Sequence, residues 1–157
     1  MEAVVPTRGF GHAHIRIATD HPTQFIDLTD RLEALVAQSG IRFGFVNVQS
    51  LHTTAAIVVN ENEPQLLSDF ADALERSAPT RAAYRHDDVA LRTVNLTADE
   101  RVNGHAHCRA LILGVSACIN VIYGRLHLGA WQRVFLVELD GPRDREISVL
   151  ILGEGDR

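Results

Sequence analysis

Lysine is absent from this chain, and all 15 of its basic residues are arginine. That absence removes Schiff-base chemistry, covalent attachment of pyridoxal phosphate and the lysine of a phosphate-binding P-loop. Cysteine is nearly as scarce. Cys108 and Cys118 are too few for a disulfide framework and lack C-x-x-C spacing, so the sequence predicts reduced thiols with a structural role. No apolar run reaches the ~18 residues of a membrane helix. The start Met1–Gly9 holds a proline and no apolar core, which argues against a signal peptide. A cytoplasmic protein with no membrane partner is therefore expected. Positive charge is also in deficit: 15 basic against 20 acidic residues leave a net charge of −5 and a pI near 5.9, which argues against nucleic acid as a partner. Repeats, low-complexity tracts and Pro/Ser-rich linkers are missing too. The 157 residues, 46% hydrophobic and 22% charged, read as one domain spanning 1–157.

What the chain does have is eight histidines, the residue most used as a metal ligand and as an acid or base near neutral pH. The elements that would carry them follow from spacing. A strand is expected around His14–Ala18. Asp27 or Thr29 can cap a helix whose Leu28, Leu32, Leu35 and Val36 recur at helical intervals until Gly40 ends it. Ile41–Leu51 reads as a strand with Ile41, Phe43 and Phe45 on one face, delivering the chain to His52. Ala55–Asn60 reads as a second strand. Asn62 and Pro64 start a helix bearing Leu66, Leu67, Phe70 and Leu74, which should stop before Pro79. Thr80–Arg92 has no period and reads as a loop. A short helix over Ala106–Leu113 should end at Gly114, followed by strands at Asn120–Tyr123, Arg133–Leu139 and Ile147–Leu152. Gly141-Pro142 fits a hairpin between the last two. The expectation is a compact α+β domain with a largely antiparallel sheet and two to three helices.

Four stretches could carry chemistry. His52-Thr53-Thr54 places an imidazole and two hydroxyls at the end of an apolar strand, where a polar cluster is costly unless it pairs or binds something. The bland reading is a satisfied histidine beside turn-forming threonines. His105 and His107 would share a face on a strand but diverge by roughly 200° on a helix. The helical assignment therefore selects one of them, His107, as lying deeper in the apolar stretch. His12 and His14 repeat the spacing and read as surface. His86-Asp87-Asp88 offers a ligand, a carboxylate that orients a ligand, or solvation alone. Three histidines from separate segments would leave an open position for water or a phosphate oxygen, as catalytic metal sites do, although spacing does not make His52, His86 and His107 converge. Arg143 and Arg145 offer guanidinium forks suited to phosphate. They could equally pair with Asp140, Asp144 or Glu138, and Trp131 could be a core aromatic.

These islands together resemble the small YjbQ-like proteins, often described as secondary thiamine-phosphate synthases. The resemblance rests on Phe25-Ile26-Asp27-Leu28-Thr29, on His52-Thr53-Thr54-Ala55-Ala56 with Asn60-Glu61, on His86-Asp87-Asp88 and on Asn103-Gly104-His105-Ala106-His107. It continues in Gly124-Arg125-Leu126 through Gly129, in Trp131-Gln132, and in Glu138, Gly141-Pro142-Arg143 and Arg145. It departs at Cys118-Ile119-Asn120-Val121 and at Ala130, which touch none of the proposed ligands. The resemblance implies an α+β subunit that forms a homotrimer with histidine-rich clefts near subunit boundaries. It also implies a weak transferase activity joining a pyrimidine diphosphate to a thiazole phosphate with release of diphosphate.

On that basis His52, His86 and His107 are the expected ligands of a divalent metal, zinc first, or direct contacts to the diphosphate of a phosphorylated substrate. His52, His107, Glu61 and Asp87 are the expected catalytic groups, with Glu61 accepting a proton and Asp87 orienting a histidine. Thr53, Thr54, Trp131, Gln132 and Arg143 are expected at the substrate, Arg143 steadying its negative charge. Two rival readings use the same residues: a trimeric metabolite- or metal-binding protein without dedicated catalysis, and a metal-dependent hydrolase.

Overall fold

A computed structural model describes residues 9–155, so all but Gly9 of the Met1–Gly9 start lies outside the described residues. Eight strands and three helices follow in the order β1 (Phe10–Ala18), β2 (Gln24–Asp27), α1 (Thr29–Ser39), β3 (Ile41–Ser50), β4 (Ala55–Glu61), α2 (Pro64–Ser77), α3 (Gly104–Leu113), β5 (Ser116–Ile122), β6 (Arg125–Leu126), β7 (Gln132–Glu138) and β8 (Asp144–Gly155). The α+β class is as expected, but the strands divide into two antiparallel sheets. Five run in the order β1-β8-β3-β5-β6 and three in the order β2-β7-β4. The anticipated β7–β8 hairpin does not form. Gly141-Pro142, a cis peptide, instead carries the chain from the smaller sheet into the larger.

The layers explain the sequence patterns. Ile15, Val46, Val48, Val149 and Ile151 of the larger sheet meet Ile57, Val134 and Leu136 of the smaller one, with α1 closing the cluster through Leu32, Leu35 and Val36. The other face of the smaller sheet, Ala56, Phe135 and Val137, packs on Leu74 of α2 and on Ala106 and Ala110 of α3. A strand covered on both faces needs no alternation, which is why Val134-Phe135-Leu136-Val137 is an unbroken apolar run. The larger sheet is covered on one face only, and β8 alternates buried Val149 and Ile151 with half-exposed Ser148 and Leu150.

The N-terminal caps differ from those expected: α1 has Leu28 at the cap position with no side-chain cap bond, although Asp27 Oδ1 accepts from the Thr29 N–H at 2.9 Å. Gly40 stops α1 at φ 69°, a left-handed geometry that glycine adopts without strain. The α2 cap is Glu63 rather than Asn62, its carboxylate accepting from the N–H groups of Gln65 and Leu66 at 3.0 and 2.7 Å. In β3 a register shift between Ile41 and Phe43 reverses the predicted face. Ile41 is buried, whereas Phe43 and Phe45 emerge on the bare face of the larger sheet. Cys108 and Cys118 are free, as expected, but exposed, so packing gives them no structural role. No helix of the described residues is long and apolar enough to cross a membrane.

Candidate functional site

The structure brings His86 and His107 together. Their ring centroids lie 4.4 Å apart, and both line a cleft of about 620 Å³ together with Thr53 and the segment following Asp87. The juxtaposition is local in origin. Arg85–Asp87 forms a single 3-10 turn. The Asp87 carboxylate then accepts from the N–H groups of Asn103 and Gly104 at 3.0 and 2.8 Å, fastening the turn to the start of α3. Gly104 is needed for this approach, because a Cβ there would stand 2.4 Å from Cβ of Tyr84. Asp87 therefore positions the histidine pair by capping α3, not through the direct histidine contact expected of it.

Helical spacing does separate the H-x-H pair. His105 is the more buried ring, with no hydrogen-bond partner for Nδ1. His107 is half-buried and faces the cleft. His107 is thus the ring that lines the cleft, while the ring lying deeper in apolar surroundings is His105, not His107 as its place in the apolar stretch suggested. Burial and then the neighbouring His86 push the His107 pKa down from 6.5, so protonating it is disfavoured.

His52 is placed differently. Its Nε2 accepts from the Glu146 N–H at 2.7 Å, which leaves the proton on Nδ1 and ties the β3 end to β8. Burial, followed by the charge of Arg145, lowers its pKa. Thr54 is buried and committed as well: its hydroxyl and carbonyl both accept from Arg145 Nη2 at 3.1 Å. Among the described residues no three histidine, cysteine, aspartate or glutamate side chains are gathered as a metal would need. Two imidazoles with the nearby Thr53 fall short of the donor set that zinc takes. The tri-histidine centre is not preformed.

Glu61, Trp131 and Gln132 lie elsewhere. Glu61 pairs with Gln132 at the far end of β4, about 20 Å from Ala55 at ~3.3 Å per residue. Gln132 closes its own turn by accepting from the Gly129 N–H at 2.7 Å. Trp131 is 74% exposed rather than a core aromatic. The two arginines take the ion-pairing alternative: Arg143 pairs with Asp140 at 2.5 Å and Arg145 with Glu138 at 2.5 Å. Asp140 also accepts from Asn103 Nδ2 at 3.0 Å, so the Arg143 cluster abuts the α3 start.

The cation that does line the cleft, Arg92, was missed, as was its partner Glu100. Arg92 Nη1 donates to Glu100 Oε1 at 2.5 Å, with the two side chains 13% and 16% exposed. Nothing periodic marks them, since both sit in the irregular stretch between the 3-10 turn and α3.

A two-layer sheet packing with helices on its inner sheet, and a paired-histidine cleft at the start of α3, define an α+β protein with a small-molecule-sized site. The sequence profile of the UPF0047 protein YjbQ-like family matches residues 13–154, and the chain belongs to that family. A UPF0047 protein of Methanothermobacter thermautotrophicus is 41% identical over 138 residues, covering 88% of this chain and 89% of that one. YugU of Bacillus subtilis, also a UPF0047 protein, is 30% identical, covering 88% and 97%. The crystal structure of a YbjQ-like protein of unknown function from Sulfolobus solfataricus superposes with a TM-score of 0.84 at 36% identity, covering 92% of this chain and 98% of that one. The family and the fold are thereby shown, and the function of the family is unknown.

Proposed function

We propose that the His86–His107 cleft is the active site of a transferase acting on phosphorylated heteroaromatic metabolites, similar to a secondary thiamine-phosphate synthase. The observation that carries this reading is the pair of imidazoles 4.4 Å apart in a cleft of ligand size that also holds the Arg92 guanidinium and the Thr53 hydroxyl. A departing diphosphate carries away negative charge, and the N–H edges of the imidazoles are donors suited to it. His107, held neutral by burial and the neighbouring His86, can donate or accept one hydrogen bond at the reacting groups.

A divalent metal, zinc first, belongs to this proposal only on condition that His52 surrenders its bond to Glu146 and joins the pair. Elemental analysis of untagged protein beside His107→Ala decides its place. The homotrimer is proposed on the bare face of the larger sheet, where Phe10, Phe43 and Phe45 are 39%, 46% and 38% exposed. A light-scattering mass three times the 17.3 kDa of the chain is expected.

The deciding experiment incubates the protein with pyrimidine diphosphate and thiazole phosphate and analyses the products. Thiamine phosphate should form, and His107→Ala should abolish it while leaving the melting temperature nearly unchanged. Formation at the wild-type rate in that variant would falsify the assignment. Retention of a phosphorylated ligand without turnover would favour the binding-protein reading, and loss of phosphate from either substrate alone the hydrolase reading.

A further inference from the structure

The segment 88–102 begins and ends on one carboxylate. Asp87 Oδ1 accepts from the N–H groups of Asn103 and Gly104, so the chain leaves and returns at the same point, as an Ω-loop does. Inside the loop the Arg92–Glu100 pair is braced from both sides. Arg92 Nη2 donates to the Asn95 carbonyl at 2.9 Å. The left-handed backbone of Asn95, φ 52°, is one that asparagine tolerates better than most residues. Glu100 Oε2 accepts from the Thr97 N–H at 3.2 Å. Both members of the pair line the cleft together with His86 and His107.

A cleft wall carrying one fixed cation and one fixed anion discriminates by sign. A simple anion that takes Arg92 strands Glu100 beside it, and the repulsion removes much of what the contact gains. A simple cation faces the converse penalty. A molecule with both charges replaces the internal pair by two external ones, and neither group is left alone. Arginine's planar fork suits phosphate or carboxylate equally.

We infer that the Arg92–Glu100 clasp selects small zwitterions, an oxyanion taking Arg92 while a cationic nitrogen takes Glu100. This rests on the cleft being the ligand site, as proposed above, and it adds a reason for the proposed reaction to occur there. When the thiazole nitrogen donates its lone pair to form the C–N bond, the C–O bond to diphosphate breaks and its electron pair leaves on diphosphate. The nitrogen thereby becomes a fixed cation while the thiazole's own phosphate stays. Glu100 would stabilise the positive charge as it develops, and Arg92 would hold the phosphate.

Calorimetric titration of the full chain tests the clasp without any turnover. Phosphoethanolamine should bind about tenfold or more tightly than ethyl phosphate, or, if carboxylate is the preferred oxyanion, β-alanine should exceed propionate by that margin. Glu100→Gln should erase this preference and strengthen ethyl phosphate, while Arg92→Gln should weaken every anion about tenfold. The double variant Arg92→Gln/Glu100→Gln, which strands neither charge, provides a folded comparison with no preference. Equal binding of the zwitterionic and the purely anionic probes by the wild type would overturn the inference, as would an unchanged preference in Glu100→Gln. If His107→Ala loses ethyl phosphate while Glu100→Gln leaves the preference untouched, the clasp falls and the cleft stands. If no probe binds at all, both fall together.

Discussion

Two of the carboxylate–guanidinium pairs in this chain, Glu138–Arg145 and Glu100–Arg92, share one chemistry in opposite settings. Glu138 and Arg145 are 0% and 1% exposed, and the Glu138 carboxylate is saturated. It accepts from Arg145 Nε, from Thr19 Oγ1, and from the N–H groups of Leu139, Asp140 and Gly141. Arg92 and Glu100 sit at a cleft wall and are braced only by neighbours within their own loop. The first pair has no coordination left to offer a ligand and orders the turn that carries Asp140 and Arg143. The second lines a cleft that a ligand can enter. The difference shows that a charged pair reveals its use by how completely its remaining donors and acceptors are committed.

Breaking the buried pair should give the largest effect. Arg145→Met leaves Glu138 charged and unpaired among buried groups, and a loss of about 3–5 kcal/mol of stability is expected in urea denaturation. The Thr54 carbonyl and hydroxyl lose their donor in the same step. A loss as small as an exposed pair gives would show that the backbone N–H groups alone sustain the carboxylate.

Acid should loosen the same pair next. Burial alone would raise the Glu138 pKa, but the Arg145 hydrogen bonds and the N–H groups of Asp140 and Gly141 outweigh it and hold the pKa at about 2, against 4.5 for an ordinary glutamate. Because the folded-state pKa is depressed, the stabilisation is complete above about pH 4.5 and is lost as pH falls towards 2. Melting temperature followed across that window should decline, and Glu138→Gln should flatten that part of the profile even though it starts lower.

A smaller acid effect belongs to the histidines. His52, His105 and His107 all have pKa values lowered first by burial, so the unfolded chain takes up protons before the folded one does. Stability is then complete above pH 6.5 and falls as pH drops below it. Replacing His105, whose Nδ1 lacks a partner, by asparagine should reduce the slope between pH 6.5 and 5. An unchanged slope would assign it to the other two.

These pairs also show which parts of the molecule were legible in sequence. The helix over Leu28–Gly40 was readable because its start, apolar period and stop are all local. The partner of each strand was not, and the expected β7–β8 hairpin failed for that reason. Yet the clue was present: the unbroken Val134–Val137 run marks a strand covered on both faces, while the alternation around Val149 and Ile151 marks one with a bare face. Such strands fit different layers. His86 and His107 could be named from their motifs, but their convergence depends on the Asp87 cap, a contact that spacing does not reveal. Glu61 and Trp131 came from equally clear motifs, yet Glu61 ends β4 and Trp131 immediately precedes β7, and neither lines the cleft. Arg92 and Glu100 had neither period nor motif.

The smallest expected effect sharpens the contrast between the two pairs. Removing both charges of the clasp with Arg92→Gln/Glu100→Gln strands no ion, and the loop keeps its anchorage on Asp87. Both side chains are largely covered, and replacing a covered ion pair by neutral groups of similar size is close to neutral, because the desolvation of both charges is relieved as their attraction is lost. The melting temperature should therefore move by no more than about 2 °C, measured by calorimetry in low salt, where screening least obscures the pair. A much larger drop would mean that the clasp holds the loop in place, and that Arg92 and Glu100 resemble Glu138 and Arg145 in use as well as in chemistry. A negligible one would leave the pair without a folding role and its position on the cleft wall as what distinguishes it.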